Sequence, residues 1–255
     1  MEILMAIFLF LKTGEKFATQ EMAGPTVTAF TDYVGTQAGV RFTAQVLNEP
    51  AQAVKFSEAK QPLCGIVTAG FYLTYAKALA MEPVLEVRRE KVAAERYVLV
   101  AKKDDSEKLA DWAGKTIATT LAAEQRYVIG VVLRGQLGDE IRLVAPGSVE
   151  DALFDLAEGA KSAANGVLVE ESAWQLFAEE PVVGEQLKVI FKSEDLPRDL
   201  FVSFRGGDVA KVKAALLALS EGEEGKQVLG SIRVEKFDEV QADRLAKARE
   251  LFNAK

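Results

Sequence analysis

The chain has 255 residues, 49% of them apolar, with 31 Lys and Arg against 38 Asp and Glu for a formal net charge of −7. An acidic chain with no basic run excludes a nucleic-acid surface, which needs clustered Lys and Arg on phosphates. It has no histidine, which removes Ser–His–Asp and Cys–His catalysis and His-ligated metal, and its single cysteine, Cys64, can form no internal disulfide.

Residues 1–12, MEILMAIFLFLK, have an apolar core too short to cross a membrane, with Glu2 ahead of it and no prompt small-residue cleavage site. They predict a buried first strand over residues 3–11, so an export signal, if the natural chain has one, lies outside this sequence. A polar loop follows, then a helix over residues 25–36, with Pro25 in its first turn and Val27, Phe30 and Val34 at helical spacing. Residues 40–47 alternate as a strand. Asn48 as N-cap and Pro50 in the first turn open a helix running to about residue 60. Residues 63–67 form a short buried strand holding Cys64, which reads as a buried structural thiol. A turn and helix in TAGFYLTYAKALA and a strand at residues 83–87 follow. The order βαβαβαβ is that of a largely parallel sheet covered by helices.

Residues 96–102 read as a further strand, and a second unit opens beyond it. It contains a strand at residues 115–118, the turn Thr119–Thr120 and a helix from about Ala122. Strands at 141–144 and 166–169 alternate with the helices of PGSVEDALFDLAEG and EESAWQLF, and strands at 187–191 and 200–204 precede a helical tail. The pattern predicts an α/β protein of two lobes, each a mostly parallel sheet flanked by helices, the second inserted in the first. Lobe 1 takes residues 1–98 and 203–255 and lobe 2 residues 99–202, with crossover strands near 97–102 and 187–203. One continuous sheet is the alternative the pattern leaves open.

In open α/β sheets, ligands bind beyond the carboxyl ends of the strands. Two turns there stand out. In the first, Thr68 and Gly70 let a ligand approach the backbone and Tyr72 offers a phenolic donor, unless it is an ordinary half-buried aromatic. In the second, Thr119 and Thr120 offer exposed hydroxyls and free N–H groups at a helix start, where the dipole favours an anion. The plain alternative is that Thr120 only caps the helix. Arg126, about two turns further on, could reach that anion or serve as a surface arginine. Glu170 and Glu171 follow the apolar GVLV; one could bind a cationic group or balance Arg126, or both could favour the start of the next helix. Lys12 and Thr13 close the first strand at another edge position. No pair of carboxylates is set as acid and base, no nucleophile is activated, and no Walker or G-x-G-x-x-G pattern occurs. This is chemistry for holding rather than converting, with no cofactor or metal expected.

The segments TAGFYLTYAKA, RYVLVAKKDDSEKLADWAGKTIA, GSVEDALFDLAEG with GVLVEES, VIFKSEDLPRDLFVSF and KVKAALLALSEGEEGKQVLGSIRVEKFDEV span nearly the whole chain. Their order and spacing resemble the phosphate/phosphonate substrate-binding proteins of ABC transporters, the phosphonate-binding type of the class II periplasmic binding protein fold. Three places depart from the family pattern. The Ser/Thr-rich cradle is Thr119-Thr120-Leu121-Ala122-Ala123, a frequent histidine is Val149, and an aspartate before the second-lobe strand is missing from Ala164-Asn165-Gly166. The resemblance implies a non-enzymatic, monomeric, periplasmic or otherwise extracytoplasmic binding protein, without membrane insertion or cofactor. It would capture a small anion in an interlobe cleft and present it to an ABC permease. The departures leave another small ligand open. The same fold could serve as the ligand-sensing module of a signalling partner, and an enzyme on it would need Cys64 to be active.

Overall fold

The central strands are short and apolar on both faces, so they are stable only when layered between helices. The computed structural model describes residues 5–13, 19–89, 94–137, 140–160 and 164–254. In chain order its strands and helices are β1 (Met5–Leu11), α1 (Gln20–Ala38), β2 (Arg41–Leu47), α2 (Pro50–Lys60), β3 (Cys64–Val67), α3 (Ala69–Tyr75) and β4 (Met81–Arg88). Then come β5 (Tyr97–Lys102), β6 (Thr116–Ala118), α4 (Gln125–Tyr127), β7 (Arg142–Val144), α5 (Val149–Glu158), β8 (Gly166–Glu170), α6 (Glu171–Phe177), α7 (Pro181–Gln186) and β9 (Leu187–Lys192). The chain closes with β10 (Leu200–Phe204), α8 (Ala210–Ala218), α9 (Glu223–Ser231), β11 (Lys236–Asp238) and α10 (Ala242–Asn253).

These elements form two compact units: unit 1 from residues 1–93 and 197–242, unit 2 from residues 94–196 and 243–255. Each has its own sheet, of order β11-β4-β10-β3-β1-β2 in unit 1 and β7-β6-β8-β5-β9 in unit 2, which disposes of the single continuous sheet. In unit 1, β1 pairs in parallel with β2 and β3, while β10 runs antiparallel between β3 and β4. In unit 2, β6 is parallel to β7 and β8, and β5 is antiparallel to β8 and β9. Both sheets are therefore mixed: β10 and β11 run against the βα series in unit 1, and β5 does so in unit 2.

Phe8 anchors the core of unit 1, stacked on Phe201 at 6.1 Å and meeting Phe30 and Phe42 edge-on at 5.9 and 5.7 Å. Beside it Gly65 is obligatory, since a Cβ there would lie 2.3 Å from the Leu9 carbonyl oxygen. In unit 2, Trp112 is fully buried and its Nε1–H donates to the Ser106 carbonyl at 3.1 Å. A Cβ on Gly166 would fall 2.8 Å from that indole.

Four expectations change. The first helix starts at Gln20, because Thr19 caps it by accepting the Met22 N–H at 3.3 Å, and Pro25 lies inside the helix rather than in its first turn. Asn48 is not an N-cap: Pro50 forces the residue before it to be extended, so Glu49 takes that place without a side-chain bond. The first strand is described from Met5, with residues 3 and 4 and loop residues 14–18 outside the described residues. The last helix belongs to unit 2, not with residues 203–242 in the first lobe. Its buried face is Leu245, Ala248 and Phe252. Lys247 pairs with Glu194, whose other carboxylate oxygen lies 2.6 Å from Arg134.

Candidate functional site

The register places one row of side chains along the carboxyl edge of the unit 1 sheet. Phe10 pairs with Ile66, and Leu200 pairs with both Val67 and Glu86. The residues just past these pairs are Lys12 and Thr13 after β1, Thr68 after β3, Asp199 before β10, and Arg88 and Arg89 at the end of β4. Thr68 is buried and caps α3, its Oγ1 accepting the Phe71 N–H at 3.2 Å. Its carbonyl takes the Tyr72 N–H at 3.0 Å. Of the first four N–H groups of α3, those of Ala69 and Gly70 donate to no described residue, so this turn presents two backbone donors at the edge. Tyr72 itself is only 2% exposed, more deeply set than a half-buried aromatic.

Charge stands beside that turn. Arg89 donates from Nε and Nη2 to Asp199 Oδ2 at 3.2 and 3.0 Å, and Lys12 Nζ lies 3.7 Å from the same oxygen. Two cations thus converge on one carboxylate at this edge. The sequence pattern suggested Lys12 but missed Arg89 and Asp199. The available signal was their place, immediately outside a strand at the edge where ligands bind.

The carboxyl edge of unit 2 differs from expectation. Thr119, after β6, is 1% exposed rather than an open turn hydroxyl. Its N–H donates to the Val144 carbonyl at 2.9 Å, and its Oγ1 accepts the Leu121 N–H at 3.2 Å. Thr120 is half-buried and carries the more accessible hydroxyl. Nor does one regular helix follow. A 3-10 turn (Ala122–Glu124), the three-residue α4 and a π-helical turn (Val128–Val132) succeed one another. Residues 127–133 are buried without interruption, so the segment has no solvent face and no amphipathic period to hold it to regular α-helix. Without a long run of aligned peptides, the dipole expected at Ala122 is weak.

Arg126 is directed to the last helix. Its guanidinium lies 4.2 Å from the Phe252 ring centroid and donates to the Phe252 carbonyl at 3.2 Å, capping the carboxyl end of α10. Glu170 stands across the β5–β8 ladder from Tyr97 and accepts its hydroxyl at 3.3 Å. Glu171 balances Arg96, at 3.7 Å, and Lys192, not Arg126. The structure thus gathers Thr68, Gly70 and Tyr72 in one turn and Thr119 and Thr120 in another, and gives Arg126 and Glu170 other partners. Cys64 is fully buried, and burial pushes its thiol far above the ordinary range, as suits a structural thiol. Among the described residues no acidic or cysteine group could hold a metal, and no helix is long and apolar enough to cross a membrane.

The family model for the periplasmic phosphonate substrate-binding proteins of ABC transporters matches residues 19–245. The chain belongs to that family. Among solved structures, XAC2383 from Xanthomonas citri bound to ATP has a TM-score of 0.75 at 12% identity, over 98% of each chain. A binding protein component of an ABC phosphonate transporter from Pseudomonas aeruginosa, PA3383, has a TM-score of 0.68 at 16% identity, over 98% of this chain and 86% of its own. PhnD1 from Prochlorococcus marinus in complex with methylphosphonate has a TM-score of 0.68 at 12% identity, over 98% of both. No curated protein sequence matches. These likenesses establish the class II periplasmic binding protein fold, and family membership makes this chain a substrate-binding component of a transport system rather than a member of an enzyme family.

Proposed function

We propose that this substrate-binding protein captures a small phosphate- or phosphonate-like oxyanion in the periplasm and delivers it to an ABC permease. The observation that carries the reading is the family match across residues 19–245. The chemistry of each unit supports it separately. Unit 1 offers the Ala69 and Gly70 N–H groups beside the Lys12 and Arg89 side chains, and unit 2 offers the Thr119–Thr120 turn with the Thr120 hydroxyl half-exposed. Hydrogen bonds to a charged ligand contribute about 1.5–3 kcal/mol each, so a few such donors suffice for micromolar binding or tighter.

The test is native mass spectrometry of the purified protein, then thermal-shift and calorimetric titration with phosphate, methylphosphonate, sulfate and small carboxylates. A ligand at a hundred times its Kd adds about 2.7 kcal/mol to stability, several degrees in Tm for units of this size. A saturable shift with phosphate or methylphosphonate is expected. No shift with any of the four classes would overturn the oxyanion reading.

A further inference from the structure

One corner of unit 2 buries its inner side and leaves an apolar outer side exposed. Helix α6 turns through residues 178–180 into α7, and the turn is tight. A Cβ on Gly184 would lie 2.3 Å from the Ala178 carbonyl oxygen, so α7 folds directly back on the end of α6. The inner side is fixed by packing: Val183 is fully buried, and Trp174 and Phe177 lie against the apolar cluster of Leu153 and Val169. On the outer side Leu176 is 72% exposed, the most of any large apolar side chain among the described residues, and Val182 is 45% exposed. An apolar side chain held outward on a rigid corner and rimmed by charge has the form of an interface anchor.

The charge around it is of one sign. Residues 172–187 hold Glu179, Glu180 and Glu185 and no lysine or arginine. All three are exposed, and none pairs with a cation among the described residues. Helix α5, packed against α7, adds four more acidic residues and again no lysine or arginine. This pattern fixes the chemistry of what can cover Leu176. It repels an anionic lipid surface, and a second copy of a chain of net charge −7 brings like charge. Its complement is a protein face with Lys or Arg around an apolar centre. We propose that the α6–α7 corner is a docking surface for such a basic face of the ABC permease, with Leu176 as the anchor and Glu179 and Glu180 as the steering charges. This inference rests on the transport reading and assigns the partner its contact chemistry.

The experiment is photocrosslinking from the corner. Leu176→Cys is labelled with benzophenone maleimide, the buried Cys64 leaving the new thiol as the reactive one, and mixed with membranes of the cells that make this protein. Gln227→Cys, exposed on α9 of unit 1, carries the same label as the control. The expected adduct is with an ABC permease subunit, identified by mass spectrometry, at least tenfold more from position 176 than from 227. Adding Glu179→Lys and Glu180→Lys should cut it at least tenfold, and salt at about 0.5 M should cut it through screening. Thermal melts should match the wild type, because all these side chains are exposed, and calorimetry with phosphate and methylphosphonate should be unchanged. No adduct, an adduct with a second copy or a sensor protein alone, or a permease adduct indifferent to position or to the two lysines overturns the docking surface. Calorimetry reads the oxyanion separately. A permease adduct from a protein that binds neither anion supports the docking surface and overturns only the ligand.

Discussion

The turns that follow β3 and β6, one in each unit, are finished in opposite ways. In unit 1 the edge carries ions: Lys12, Arg89 and Asp199 converge, with Arg198 and Glu86 buried nearby at 4% and 0% side-chain exposure. In unit 2 the corresponding turn is hydroxyl and backbone, and Arg126 is engaged by α10. The difference separates two tasks. Buried charge is costly to desolvate but discriminates among ligands, whereas hydroxyls and amides bind many anions with little penalty when empty.

The comparison can be broken most severely in unit 1. Arg198 lies 3.8 Å from Glu86 and 3.5 Å from Asp238. Arg198→Ala should cost about 3–5 kcal/mol, since it leaves a buried carboxylate uncompensated. Urea unfolding monitored by circular dichroism measures it, and a loss under 1 kcal/mol would mean the edge tolerates unpaired charge. In unit 2 the equivalent damage is steric and apolar. Trp112→Ala empties the pocket over Gly166 and should cost about 3–5 kcal/mol by the same measurement.

Next come the two threonines. Thr120→Ala should weaken a confirmed oxyanion about tenfold with stability unchanged, because its hydroxyl already reaches solvent. Thr119→Ala should instead cost about 1 kcal/mol of stability, through loss of the bond to the Leu121 N–H. Calorimetry beside thermal melts tells the two apart, and reversed effects would show that Thr119 is the ligand contact. Arg126→Ala should loosen α10 by about 1 kcal/mol and spare affinity. Hydrogen exchange over residues 242–253 reads the first effect, and a tenfold loss of binding would return Arg126 to the site.

The smallest effect is acid sensitivity. The Lys247 ammonium, with Arg134 nearby, holds the exposed Glu194 carboxyl below its ordinary value of 4.5. A carboxyl depressed in the folded state stabilises above its unfolded pKa and loses that contribution as pH falls through the folded one. Exchange over α10 should therefore rise below about pH 4.5 in the wild type and be nearly independent of pH there in Lys247→Ala. A parallel rise in both would remove Glu194 from the docking of α10.

The fold was legible wherever one physical rule dominated. Val27, Phe30 and Val34 at helical spacing, and the continuous apolar runs of β3 and β8, gave their elements because burial alone specifies them. The order of β10 between β3 and β4 was not legible, since Leu200 pairs with residues more than a hundred positions earlier. At the carboxyl edge of unit 1, the turn holding Thr68 and Gly70 could be read because small residues directly after a buried strand mark a strand-to-helix turn. Asp199 could not, because KSEDLPRD looks like any polar crossover until Arg89 is folded against it. The regular helix assumed at Ala122 failed for a related reason. Local pattern shows a helical tendency, but uninterrupted burial from Tyr127 to Leu133 selects a mixed winding.

The docking of α10 on unit 2 has a consequence for synthesis. Unit 2 begins at residue 94, yet its last helix is made after all of unit 1, and the β10 strand of unit 1 waits until residue 200. Neither core can be completed on the ribosome until most of the chain has emerged. Both units also depend on pairings of long sequence separation, which form slowly. A growing chain of this connectivity stays open longer than one built from two consecutive domains.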